Sequence, residues 1–221
     1  MRKFSKQKIL YAAANSFART GYHGTSIRDI SKVCGLRQPS IYHHFQNKEN
    51  LFKEALRYTL FVIIRVIREN TVKGISLRAE LLSYFFIFSE WGGAQKENSI
   101  SSDISLVFDF ISSAPAEMKE EFHDRITAIF DKTLHSTMIR YADDTPESRI
   151  AAKVFRLILF GYAFTLRSSA SLNHSREELC ELLNPVLCNI PVKEEQAINL
   201  AEIQNKVRET LPQSNRFFQF T

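Results

Sequence analysis

The chain has 221 residues, 44% of them hydrophobic, which excludes general disorder and is enough for one sizeable helical domain or a small domain joined to a larger one. No N-terminal stretch has a signal peptide's order, and the most apolar runs, 58–67 and 154–166, each contain an arginine and fall short of the ~20 residues a bilayer span needs. The reading is a soluble, cytoplasmic protein with no membrane partner. The net charge of +5 is unevenly spread: residues 1–60 carry 11 Lys/Arg against Asp29, Glu49 and Glu54, and the remainder is net negative. A basic first quarter on an acidic body is the asymmetry expected when one end meets a polyanion.

Nearly every segment reads at helical period, with no hairpin signal or alternating strand pattern, so the fold class is all-α. The first helix is predicted over 6–19, with Ile9, Leu10, Ala13 and Phe17 on one face, Ser5 as cap, Phe4 as staple and Gly21 ending it. A short second helix follows the capping hydroxyls of Thr25 and Ser26 and turns Ile27, Ile30 and Val33 inward. Gly35 supplies the positive φ of a tight turn. The third helix carries Gln38, Pro39, Ser40, Ile41, Tyr42 and His43, with the proline tolerated in the first turn. Asn47 caps a long fourth helix over 48–70.

Further helices are predicted over 76–90, 103–112, 115–142, 146–169, 176–188 and 193–211. Their start signals are Ser113 before Pro115, Thr145 before Pro146, and a Ser175–Glu178 capping box. Gly92–Gly93 and the polar stretch 95–102 mark a loop. The three cysteines, Cys34, Cys180 and Cys188, are odd in number and lack zinc-site spacing, so neither disulfide framework nor metal is indicated, and no cofactor is expected.

A helix, a short second helix, a glycine turn and a third helix are the parts that hold one helix across another for insertion into the DNA major groove. That groove admits a single α-helix whose exposed side chains reach base edges, while helix N-termini and cations hold phosphates. Ile41 faces inward here, leaving Arg37, Gln38, Ser40, Tyr42, His43 and His44 outward. Phe45 reads as a core plug. His43 and His44 point about 100° apart and have no third ligand near them in sequence, which argues against metal binding.

Tyr22-x-x-Thr25-Ser26-Ile27-x-Asp29-Ile30-Ser31, then Gly35-Leu36, then Ser40-Ile41-Tyr42-x-His44-Phe45-x-Asn47-Lys48-Glu49-x-Leu51 resembles the N-terminal signature of TetR-family transcriptional regulators. The resemblance covers about residues 7–56 and implies a dimeric regulator, usually a repressor, that binds a palindromic double-stranded DNA operator and leaves it when a small ligand binds the C-terminal domain. It implies an N-terminal helix-turn-helix domain over 1–50 and a helical ligand-binding and dimerisation domain over 51–221. By matched position, Tyr42 and Lys48 hold phosphates, Thr25 or Ser26 offers the start of the second helix to another, and Gln38, Pro39 and His43 face bases. Arg28 reaches a base or phosphate. Arg37 stands where the family commonly has a small capping residue, which weakens the cap and adds a cation.

Residues 150–166 are apolar around much of the helix circumference, more than one buried stripe requires. This helix is therefore expected to face its own core on one side and a partner subunit on the other, and the family likeness implies a homodimeric four-helix bundle. The expected dimer contacts are Phe155, Leu159, Tyr162, Leu179, Leu183 and Leu187. Many of the 18 phenylalanines cluster near 84–91 and 108–110. Tyr84, Phe85, Phe88, Trp91 and Phe108 are the candidate lining of a site for a largely apolar effector, or equally a filled core. No nucleophile elbow, phosphate loop or dinucleotide fingerprint argues for an enzyme. The alternative reading is a helical protein–protein adaptor whose helix-turn-helix no longer functions.

Overall fold

The computed structural model describes residues 6–92, 110–168, 175–188, 190 and 199–211. Among these the regular elements are all helical: α1 (Lys6–Gly24), α2 (Ile27–Cys34), α3 (Gln38–Tyr42), α4 (Lys48–Asn70), α5 (Leu77–Gly92), α6 (Ala116–Met138), α7 (Pro146–Ser168), α8 (Arg176–Leu187) and α9 (Leu200–Thr210). No described helix is long and apolar enough to cross a membrane. The predicted cap and staple at Ser5 and Phe4, most of the helix over 103–112, the loop over 95–102, residues 193–198, Phe108 and the side chain of Trp91 lie outside the described residues.

The chain divides into two units. The first holds the described residues of 1–65 and 97–123, and its core is aromatic. Phe17 on α1 meets Phe52 on α4 edge-on with ring centres 4.9 Å apart, and Phe110 packs 4.6 Å from Phe52. Ile9, Leu10 and Ala13 join them on the buried face of α1, as the helical period requires. That helix breaks at Gly21, whose φ of 73° and ψ of 173° belong to a region essentially reserved for glycine. On α2 the buried residues are Ile27, Ile30, Ser31 and Cys34. Val33 was expected inward and is instead 67% exposed, because Cys34, one turn on from Ile30, takes the inward place. Ser113 does not cap α6; its hydroxyl donates to the Phe110 carbonyl.

The second unit holds the described residues of 66–96 and 124–212. Its centre is α5, buried along Leu81, Leu82, Tyr84, Phe85, Phe86 and Phe88. Phe85 is met edge-on by Phe155 and Tyr162 of α7, with ring centres 5.5 and 5.0 Å away. On the same helix Glu80 is fully buried and ion-paired to Arg140, while the Tyr141 hydroxyl donates to it at 2.8 Å. A buried carboxylate is tolerable only with such partners. Tyr141 also accepts the Gly74 N–H at 2.8 Å, tying the α4–α5 connection to the same group. Helix α6 ends at Met138 rather than 142, closing in a turn that sends Arg140 and Tyr141 back toward Glu80. The capping predictions at Thr145 and at Ser175 with Glu178 hold. Helix α9 lies on α5, buried through Ile203 and Val207 and pinned by Gln204 and Arg208 to Glu90.

The predicted dimer contacts need correction. Phe155, Leu159, Tyr162, Leu179 and Leu183 are 5% exposed or less within the single chain, so they are already spent on its own core. Leu187 is half-buried. The outward stripe of α7 is instead Ile150, Leu157 and Phe164, spaced by seven residues and each about 60% exposed. Both stripes are apolar, and periodicity alone does not say which faces inward.

Candidate nucleic-acid interface

Short-range stereochemistry builds the interface. Ser26 caps α2 with a reciprocal box: its hydroxyl accepts the Asp29 N–H at 3.1 Å, and the Asp29 carboxylate accepts the Ser26 N–H at 3.1 Å. Hydrogen bonds from the Ser26 side chain and backbone hold the Asp29 carboxyl below its ordinary value. Gly35, at φ 66° and ψ 29°, closes α2 in the left-handed conformation, with its N–H on the Lys32 carbonyl and that of Leu36 on the Ser31 carbonyl. The chain then enters α3 through Arg37, whose side chain makes no capping hydrogen bond. Helix α3 is therefore held less by its own cap than by Ile41, fully buried, and by Phe45, which plugs the core just beyond. Asn47 caps α4 by accepting the Asn50 N–H at 2.7 Å.

With Ile41 inward, the rest of α3 faces solvent: Arg37, Gln38, Pro39, Tyr42, His43 and His44 are exposed and Ser40 is half-buried. Two shallow concavities flank the helix. One is lined by Arg28, Ser31, Lys32, Arg37, Gln38, Pro39 and Tyr42. The other is lined by His23, Gly24, Thr25, Ser26, Ile27, Arg28, Gln38, Tyr42 and Lys48. Gln38 and Tyr42, one turn apart, border both and form the ridge between them. Three cations converge on the first and no acid lines it, a distribution suited to a polyanion. The predicted residues Ser26, Arg28, Arg37, Gln38, Pro39, Tyr42 and Lys48 are thus gathered on one face, while Ser40, His43 and His44 line neither concavity.

Thr25 is a correction. Its side chain is 2% exposed, and its hydroxyl lies 2.8 Å from the Gly21 carbonyl, 3.1 Å from that of Ser16 and 2.7 Å from the Thr20 hydroxyl. It braces the break after α1 and is not free for a phosphate. Sequence reasoning missed Lys32, His23 and Ser31. The signal for Lys32 was available, since it stands one turn beyond Arg28 on the outward face of α2. At the start of α4 the Lys48 ammonium sits 4.4 Å from the centre of the Tyr22 ring, and partial burial lowers its pKa from the ordinary lysine value.

Residues 9–55 match the model of the bacterial regulatory proteins of the tetR family. That segment is therefore a TetR-type DNA-binding segment. The chain is 28% identical over 141 residues, 63% of its length, to the biofilm operon negative transcriptional regulator IcaR of Staphylococcus epidermidis, spanning 70% of that protein. It is 37% identical over 76 residues, 34% of its length, to the transcriptional repressor KstR2 of Rhodococcus jostii, spanning 37% of that repressor. Among solved structures it resembles the TetR-family regulator CifR in complex with 26-bp operator DNA, at a TM-score of 0.62 and 23% identity, covering 86% of this chain and 99% of that one. Reduced Escherichia coli NemR gives a TM-score of 0.64 at 17% identity over 87% and 98% of the two chains. These structures share the fold; the relatives are transcriptional regulators rather than enzymes. The chain is accordingly a DNA-binding transcriptional regulator.

Of the aromatics predicted to receive an effector, Tyr84, Phe85 and Phe88 lie in the second unit. Tyr84, Phe85 and Phe88 are all buried on α5, and the Tyr84 hydroxyl is 3.0 Å from the Thr137 hydroxyl. Burial pushes the Tyr84 phenol up to about 12, so it remains a neutral hydrogen-bonding group.

Proposed function

We propose that this regulator is a homodimeric cytoplasmic repressor that binds a palindromic operator through α2, α3 and the start of α4, and that a small, largely apolar effector releases it. The supporting observation is the ridge of Gln38 and Tyr42 between a tricationic concavity and the capped starts of α2 and α4. That arrangement suits base contact by Gln38, Pro39 and His43, with Arg28, Arg37, Tyr42 and Lys48 on phosphates and Ser26 presenting the first turn of α2. Residues 1–50 serve DNA binding and 51–221 serve dimerisation and sensing. The dimer forms through the exposed stripe of α7, Ile150, Leu157 and Phe164, since an apolar stripe of that length favours a partner over water. Two copies then present their α3 helices to successive major grooves. The effector inserts among Tyr84, Phe85 and Phe88, where the Tyr84 and Thr137 hydroxyls offer polar handles.

The test is selection of binding sites from random duplex DNA by the full chain, with Tyr42→Ala and Lys48→Ala as controls. The expected product is a palindrome with half-sites about one helical turn or more apart, lost in both variants. A folded wild-type chain that enriches no sequence at low salt refutes the reading and favours the adaptor.

A further inference from the structure

Two aromatics of the first unit carry a cation on their faces: buried Phe45, with the Lys6 ammonium 5.5 Å from its ring centre, and half-buried Tyr22, which borders the candidate DNA-facing surface. The Lys48 ammonium lies 4.4 Å from the Tyr22 ring centre, within the range of a cation–π contact, while Lys48 also lines the concavity shared with Ser26, Gln38 and Tyr42. The ring is itself held. Phe17 stacks on it at 6.1 Å and 17°, and Phe52 meets it edge-on at 5.0 Å and 85°. The adjacent carboxylate, Glu49, is paired at 2.7 Å with Lys53, so it does not neutralise Lys48.

From this geometry we propose that Tyr22 is a positioning residue for DNA binding: its ring is a rigid platform that holds the Lys48 ammonium at the phosphate-facing surface in the free protein. The proposal rests on the DNA-binding reading of the same face. A lysine is a flexible stem with three donors, and much of its freedom is lost when it engages a phosphate. A ring quadrupole restricts that freedom without cancelling the charge, and the ammonium hydrogens turned away from the ring stay free for a phosphate oxygen. A carboxylate in the same place would restrict the lysine equally but compete with the phosphate. Gly21, the residue before Tyr22, and the Phe17–Phe52 pair then acquire a purpose beyond core filling: they set the platform's height and tilt.

The experiment measures affinity of the full chain for a fluorescein-labelled 30-bp mixed-sequence duplex over a range of salt, using wild type, Lys48→Ala, Tyr22→Phe, Tyr22→Leu and the Tyr22→Leu/Lys48→Ala pair. Tyr22→Phe, which keeps the ring face, is expected to bind like wild type, and Tyr22→Leu to bind roughly two- to fivefold more weakly per bound chain. In the Lys48→Ala background the leucine substitution is expected to add nothing. An equal loss in both backgrounds overturns the proposal, because Tyr22 then acts only through the core. Should the leucine variant fail to fold, replacing Tyr22 with phenylalanines of increasing fluorine content drains the ring quadrupole while keeping its shape. A stepwise fall in affinity that vanishes with Lys48→Ala supports the platform, and a flat series overturns it. Loss of affinity in Lys48→Ala together with a flat series removes this proposal alone; absence of any salt-dependent binding by the wild type removes the DNA reading as well.

Discussion

Replacing Thr25 by valine removes a buried hydroxyl while keeping the shape of the side chain. In the wild type that hydroxyl stands 2.8 Å from the carbonyl of Gly21, the residue at which α1 breaks, and the neighbouring Thr20 hydroxyl holds the Ser16 carbonyl independently at 2.9 Å. Valine therefore leaves the Gly21 carbonyl without this donor in a site that is 2% exposed at position 25. The expected cost is about 1–3 kcal/mol, the penalty of an unpaired buried polar group. At roughly 2–4 °C per kcal/mol for a chain of this size, the melting temperature should fall by a few degrees to about 10 °C. Circular dichroism melts report it directly. DNA affinity, measured well below the transition, should stay within about twofold of wild type, because the hydroxyl faces inward rather than toward a phosphate. The refuting result is the reverse: unchanged melting with a loss of about tenfold or more in affinity, as expected for a lost hydrogen bond to a charged group. That outcome would restore Thr25 to the phosphate contact its family resemblance implies.

Gly21→Ala places a Cβ on a backbone at φ 73° and ψ 173°, and should destabilise the chain by about 1–3 kcal/mol in a denaturant titration. The added carbon would lie 3.4 Å from the Ser113 Cβ, an ordinary contact, so the cost comes from the backbone, and an unchanged midpoint would contradict it. Asp29 has its pKa depressed below the ordinary 3.8 by its bonds to Ser26. Its capping contribution is therefore fully present above 3.8 and is lost as pH falls through the lower folded-state value. Carboxyl NMR should show Asp29 titrating below 3.8, and Asp29→Asn should remove this part of the acid sensitivity of α2. Leu157→Glu, on the 62%-exposed stripe of α7, should leave the chain folded and shift it from dimer to monomer in analytical ultracentrifugation. A folded dimer with unchanged dissociation would move the interface elsewhere.

What was legible in the sequence follows the range of the forces involved. The bounds of α4, its Asn47 cap, the left-handed turn at Gly35, the Ser26 cap and the inward Ile41 all arise within a few residues, and each appears where the local pattern places it. Val33 was misplaced because in an eight-residue helix the choice between it and Cys34 turns on a single step of about 100°. The dimer contacts were misassigned for a different reason. Helix α7 carries two apolar stripes, and the inner one is fixed by packing on distant residues, among them the rings of Tyr84 and Phe85, some seventy positions before Phe155 and Tyr162. The Glu80–Arg140–Tyr141 cluster is equally invisible in sequence, since a charged residue inside an amphipathic pattern gives no sign of burial until its partners are known.

The same distinction explains why the exposed residues of α3 could be named while their support could not. A side chain that meets a base or phosphate has to be exposed, and exposure on a short helix can be read from the few residues around it. A side chain that aims another does so through contacts whose sequence separation is arbitrary: Tyr22 reaches Lys48 across α2 and α3, and is itself braced by Phe52. Phe52 in turn packs on Phe110, fifty-eight positions further along. A signature motif records the two ends of such a chain, Tyr22 and Lys48, as separate matched positions. The proposed platform gives a reason for them to occur together: a lysine on a flexible stem, if it binds phosphate, gains from a rigid apolar surface that orders it without neutralising it.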